Sequence, residues 1–139
     1  MSIATISAAE ASARIGDTGD AVYVDVRTVA EFVQGRPRGR AVNIPIVFHH
    51  PRTGAEHPNE AFALVARHAL DADVALIVGG DADARALTAA RALGAAGFAH
   101  LALLEGGLPA WREARLPVTG DNREGVSYVS LLTRARRAG

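Results

Sequence analysis

Val74-Ala75-Leu76-Ile77-Val78-Gly79-Gly80-Asp81-Ala82-Asp83-Ala84-Arg85 is the stretch that decides how this chain folds. Its first five residues form an unbroken apolar run, the pattern of a strand whose sheet is covered on both faces. Gly79 and Gly80 end the run, and the residues after them open a helix that reaches about Ala96. Leu87, Ala90 and Leu93 make its apolar face, and Gly97 stands at its C′ position. A buried strand, a glycine loop and a helix make one βα unit, and a series of such units builds a mostly parallel sheet.

The same alternation continues on either side. Ile3 to Ile6 reads as a short edge strand, followed by a helix from about Ala8 to Arg14 that Ser7 caps and Gly16 closes. Ala21 to Val26 is a strong strand, Val29 to Gln34 a short helix ending at Gly35, and Ala41 to Ile44 a strand stopped by Pro45. Pro51, Gly54 and Pro58 break the stretch from Phe48 to Pro58 into loop. Asn59 is expected to cap a helix through about Ala69, with Phe62, Val65, Ala66 and Ala69 on one face. His100 to Leu104 is the last strand, Leu108 to Ala114 a short helix, and Val126 to Arg137 a terminal helix with a basic end. There is no internal repeat, low-complexity tract or linker. The fold class is therefore α/β, with helices on both faces of a central sheet.

A chain of 139 residues with 49% apolar content can bury one core but hardly two, so one domain is expected. Fifteen basic side chains balance fifteen acidic ones, and no global charge draws the chain toward nucleic acid or an anionic membrane. The N-terminal residues lack a basic start followed by an apolar run, and no apolar stretch approaches the roughly 18 residues of a membrane span. A soluble, cytoplasmic protein is the expectation. The absence of cysteine excludes disulfides, thiolate chemistry and cysteine-bound metal.

An ordered set of short motifs covers about Ile3 to Val118. Asp25-Val26-Arg27, Glu31-Phe32, Gly35 and Asn43-Ile44-Pro45 are followed by Ala89-Ala90, Leu93, Gly97-Phe98, Leu104-Glu105-Gly106-Gly107-Leu108, Ala110-Trp111 and Leu116-Pro117-Val118. In that order and spacing they resemble the two signatures of rhodanese-like domains. The resemblance implies a single rhodanese-like domain, core about 3–118, with a helical extension at about 126–137. It also implies a five-stranded parallel sheet and a sulfurtransferase site at the carboxyl end of a central strand. In active members a loop cysteine there accepts sulfane sulfur as a persulfide, because a hydroxyl is a poor nucleophile near neutral pH and the helix start lowers a thiol's pKa.

Counting back from Ala89-Ala90, Leu93 and Gly97 places Arg85 on the family's loop arginine and Gly80, five residues earlier, on the nucleophile. The resemblance thus assigns Gly80, Asp81, Ala82, Asp83, Ala84 and Arg85 to the active-site loop with no catalytic residue among them. Asp83 replaces the usual mid-loop glycine and Ala86 the frequent serine. Backbone N–H groups at a helix start favour an anion, but Asp81 and Asp83 oppose one, and their own expected role is capping the helix. A divalent cation on these two is the weaker alternative, since hard cations want more oxygen ligands. Asp25, Arg27 and Glu31 have the chemistry for acid–base work, yet the resemblance assigns them to holding the fold. Gly106, Gly107 and Trp111 are likewise expected to be a tight turn and a packing aromatic.

Gly35-Arg36-Pro37-Arg38-Gly39-Arg40 departs from the family pattern. Alone it resembles an AT-hook, which lays arginines in the minor groove of A·T-rich DNA, although AT-hooks usually lie in disordered arms. A basic surface loop is the reading adopted, with Arg36, Arg38 and Arg40 available to an acidic protein partner or a phosphate-bearing ligand and nucleic acid disfavoured. His49, His50 and His57 crowd one loop, but no carboxylate stands at a metal-ligand spacing from them, so neither metal nor cofactor is expected. His68 and His100 have no companions. The expected function is a non-catalytic binding or regulatory module with a protein partner. The alternatives are sulfur transfer through a thiol supplied by a partner, and phosphate or nucleic-acid binding by the arginine loop. The sequence leaves the oligomeric state open.

Overall fold

A computed structural model describes residues 3–16, 19–81, 83–120 and 128–138 of the chain. Its centre is a sheet of five strands, all parallel: β1 (Ala4–Ile6), β2 (Ala21–Asp25), β4 (Ala41–Asn43), β7 (Ala75–Gly79) and β8 (Leu101–Leu104), in the order β1-β8-β7-β2-β4. Against one face lie α3 (Phe62–Ala69), α4 (Asp83–Ala95) and α6 (Tyr128–Ala138), which bury Phe62, Val65, Ala89, Leu93 and Leu131 over Val24, Leu76 and Val78. Against the other lie α1 (Ala8–Ile15), α2 (Val29–Gln34) and α5 (Gly107–Glu113), with Ile15, Phe32, Leu108 and Trp111 over Tyr23 and Ile77. Successive residues of β7 therefore enter opposite cores, which is why its sequence is apolar without alternation.

Local chemistry sets the helix starts. Ser7 Oγ accepts from the Glu10 N–H at 3.2 Å to cap α1. At α2 the Thr28 hydroxyl accepts from the Glu31 N–H while the Glu31 carboxylate accepts from the Thr28 N–H, a reciprocal capping box. Gly97, with φ of +108°, closes the segment after α4 in a conformation that favours glycine.

Several expectations are corrected. The segment expected to be loop contains an antiparallel hairpin, β5 (Val47–His49) and β6 (Glu56–Pro58), whose tip turns at Gly54 with φ of +70°. Asn59 does not cap α3, which starts after Ala61. Instead Asn59 is buried, donating to Pro45 O at 2.8 Å and accepting from the Ala61 N–H and the Tyr128 hydroxyl. Arg36 and Pro37 form β3 (Arg36–Pro37), antiparallel to β9 (Val118–Thr119), so this part of the arginine segment is paired and buried. Val126 and Ser127, where the terminal helix is expected to begin, lie outside the described residues. Among the described residues no helix is long and apolar enough to cross a membrane.

Candidate functional site

Strand order locates the site. From β2 the chain moves outward to β4, and from β7 it moves the other way to β8, so the loops leaving β2 and β7 diverge and open a crevice at the carboxyl ends of these neighbours. A small cleft of about 60 Å³ lies there, between Val26, Arg27 and Thr28 after β2, Gly80 and Asp81 after β7, Glu31 of α2, and Val47, His49 and Arg85.

The walls are fixed by glycines and by one buried ion pair. A Cβ on Gly79 would stand 2.7 Å from the Tyr23 hydroxyl, and one on Gly107 would stand 2.1 Å from Gly80 O. Gly106 and Gly107 both have positive φ, and this turn brings the Leu108 N–H to 2.9 Å from Gly80 O. Below the cleft Asp25 and Arg27 are buried against each other. Arg27 Nε lies 3.0 and 3.1 Å from the two carboxylate oxygens and Nη2 lies 2.8 Å from Oδ2, while Nη2 also donates to Gly35 O at 2.7 Å. Burial pushes the Asp25 carboxyl above its ordinary value, and the contacts with Arg27 pull it back. Asn43 Nδ2 donates to Asp25 O and Arg27 O, which pins the loop after β2. Trp111 is buried and donates to Pro117 O at 2.9 Å.

The cleft is acidic. The Asp81 and Glu31 carboxyls interact across it, and this neighbour is the main cause that raises Asp81 to about 6 and lowers Glu31. Arg27 Nη1 is 4.0 Å from Asp81 but already carries Asp25. Arg85 does not turn into the cleft unopposed: it is ion-paired with Glu56 and lies 3.5 Å from His49 Nε2, which is itself 3.3 Å from Glu56. Each arginine at the cleft is thus met by a carboxylate, Arg27 by Asp25 two residues before it and Arg85 by Glu56 of the hairpin.

The candidate residues divide accordingly. Gly80, Asp81, Arg85, Arg27 and Glu31 converge on the cleft, with Asp25 beneath it. Asp83 and Ala84 are exposed on the first turn of α4 and do not line it, and Ala82 lies outside the described residues. Thr88, the nearest downstream hydroxyl, donates to Ala84 O at 3.0 Å. Gly106, Gly107 and Trp111 form the support. Arg36, Arg38 and Arg40 lie away from this cleft, around a separate groove. Among the described residues no three histidine or acidic side chains are arranged to hold a metal ion. Thr28 and Glu56 are the members sequence reasoning missed. The Thr28-to-Glu31 spacing is a readable capping-box signal, whereas nothing local links Glu56 to Arg85.

A parallel sheet with its crevice at this switch point, closed by a double-glycine turn, defines a class of α/β proteins that bind at strand ends. The chain belongs to the rhodanese-like domain family, whose sequence profile matches residues 7–114. It is 31% identical over 103 residues to "Thiosulfate sulfurtransferase 18" of Arabidopsis thaliana, covering 73% of this chain and 74% of that one. It is also 31% identical over 110 residues to "Rhodanese-like domain-containing protein 17" of the same plant, covering 78% and 69%. The crystal structure of the Alr3790 protein from Anabaena sp. shares the fold with a TM-score of 0.68 at 23% identity, over 96% of this chain and 90% of that one. The thiosulfate sulfurtransferase from Pseudomonas aeruginosa also superposes with a TM-score of 0.68, at 26% identity, over 86% of this chain and 20% of that longer one. This chain carries the family's fold and has no cysteine.

Proposed function

We propose that this rhodanese-like chain does not transfer sulfur and instead acts as a binding or regulatory module in the cytoplasm, using the cleft at Gly80 to engage a protein partner. The observation that carries the reading is that the cleft lined by Gly80, which the register counted from Ala89-Ala90, Leu93 and Gly97 puts at the nucleophile position, offers no thiol and carries two carboxyl groups, Asp81 and Glu31. Gly80 stands where a nucleophile is required, and the Asp81–Glu31 pair occupies the approach an anionic sulfur donor would take. Losing the nucleophile alone leaves an idle enzyme; Asp81 beside Glu31, with Arg85 neutralised by Glu56, also disfavours thiosulfate as a ligand. The balance supports a changed ligand preference.

One feature favours a second reading, sulfur transfer with a thiol supplied by a partner: Gly80 leaves its side of the cleft open, with only a Val26 methyl and the Arg27 stem near a Cβ position. Affinity capture separates the two. A partner held by the wild-type chain and released by Asp81→Lys supports binding through the acidic cleft. Sulfur transfer that starts only when the captured partner is added, and that stops when the partner's thiols are alkylated, refutes the non-catalytic reading.

A further inference from the structure

A second cavity lies at the opposite end of the sheet. It is an open groove of about 740 Å³, bounded by the end of α1 at Gly16, the amino ends of β2 and β4 at Val22 and Val42, the end of α3 at Leu70, and the β3–β9 ribbon. The groove exists because β4 is an edge strand and α3 stops at Ala69, which leaves Val22, Val42 and Leu70 only half-buried. Its size falls in the range of about 300–1,000 Å³ usual for small-molecule sites.

Its charge is the reverse of the Gly80 cleft. Arg36, Arg38 and Arg40 line it, and no aspartate or glutamate does among the described residues. Arg36 is built into the wall, with its guanidinium 4.2 Å from the centre of the Phe32 ring and Nη1 donating to Phe32 O. The backbone around Arg38 and Arg40 is pinned by Arg38 N to Pro117 O at 3.0 Å and Arg40 N to Ile15 O at 2.8 Å, and the Arg40 side chain donates to Gly19 O. The side chains of Arg38 and Arg40 are exposed, and no described carboxylate pairs with either. The carboxyl ends of α1 and α3 bring roughly half a negative charge each, which the exposed guanidinium groups of Arg38 and Arg40 exceed. The positive charge left over suits an anionic ligand, and a guanidinium fork matches phosphate oxygens in pairs.

We propose that this groove binds a small organic phosphate, with the phosphate held by Arg38 and Arg40 and the organic part lying against Val22, Val42 and Leu70. The site is independent of the Gly80 cleft. Duplex DNA fits less well, because Arg36 and Pro37 are buried and paired with Val118 and Thr119 and cannot enter a minor groove as an extended arm.

The test is titration of the full chain with AMP, phenyl phosphate and inorganic phosphate, followed by backbone amide NMR. The expected result is saturable shifts at Arg38 to Val42 and around Leu70 with the two organic phosphates. Inorganic phosphate should bind about tenfold or more weakly by comparison, for want of the apolar contact. Arg38→Ala should weaken the organic phosphates about tenfold or more, Arg38→Lys less, and Asp81→Asn not at all. Arg38 is exposed, so neither replacement threatens the fold, which unchanged amide dispersion verifies. No saturable shift with either organic phosphate, equal affinity for inorganic phosphate, indifference to Arg38→Ala, or tighter Arg38-dependent binding of an A·T-rich duplex each overturns the proposal.

Discussion

Restoring a thiol with Gly80→Cys tests whether chemistry or charge is the larger obstacle to sulfur transfer. A Cβ at Gly80 would stand 3.3 Å from Val26 Cγ2 and 3.6 Å from Arg27 Cγ, and the backbone is not left-handed, so the side chain enters with a shift of a few tenths of an ångström. The remaining obstacle is electrostatic. At an assumed separation of about 5 Å and an effective dielectric near 20, one carboxylate repels a unit anion by roughly 3 kcal/mol. The Asp81 side chain is 53% exposed, and solvent and salt reduce this to about 1 kcal/mol per unit charge, or about 2 kcal/mol for a dianion such as thiosulfate. Gly80→Cys/Asp81→Asn should therefore exceed Gly80→Cys by about tenfold or more in kcat/KM for thiosulfate at about pH 8. The gap should narrow below the Asp81 value of about 6, where the carboxyl kept in the single variant takes up a proton and loses its charge. Asp83→Gly should add little, since Asp83 faces solvent on α4 and not the cleft. The readout is thiocyanate formation from thiosulfate and cyanide. Equal activity of the single and double variants, or a larger gain from Asp83→Gly than from Asp81→Asn, refutes the electrostatic reasoning.

Other consequences concern stability. Arg27→Ala leaves Asp25 as a buried charge without its partner and should cost about 3–5 kcal/mol in urea unfolding, whereas Arg85→Ala, which breaks a half-exposed pair, should cost about 1 kcal/mol or less. Gly107→Ala must move Gly80 O out of a 2.1 Å contact at a backbone of φ +60°, so it should destabilise by about 2 kcal/mol or more and accelerate amide exchange in the Gly80 loop. Asp81 is held above its ordinary 3.8, so ionising it is harder in the folded chain, and the stability it contributes at low pH is lost as pH rises toward about 6. Glu31, held below its ordinary 4.5, works in the opposite sense, contributing at higher pH and fading as pH falls. Asp81→Asn should accordingly flatten the loss of stability between about pH 4 and 6, as read from urea midpoints across that window.

Much of the fold was legible because its strongest signals are local. The apolar run Ala75 to Val78 identified a strand between two cores, and Gly97 and Gly35 marked the helix ends. The hairpin at Val47 and Glu56 was not legible: its strands are three residues each, largely exposed, and interrupted by turn-forming residues, so neither alternation nor propensity singled it out. Asn59 misled because an asparagine before an apolar helix looks like a cap, while beyond its local bond from the Ala61 N–H its side chain is held by Pro45 and Tyr128, far away in sequence. Arg36 misled for a similar reason. An arginine beside proline reads as loop, but Phe32, four residues earlier, offers its ring to the guanidinium, and β9 supplies a pairing strand. At the cleft, composition signalled a missing thiol and two aspartates, but only geometry separates Asp81, which lines the cleft beside Glu31, from Asp83, which is exposed on α4 and does not line it.

The most direct test of the central claim is thiosulfate-to-cyanide turnover by the purified wild-type chain, prepared from cells lacking other rhodanese activity. A cysteine-free chain with Gly80 at the loop and Asp81 across its approach should give no thiocyanate above the uncatalysed rate, with or without added dithiol. Turnover that copurifies with the chain and falls when Arg85 or Arg27 is replaced would contradict the account.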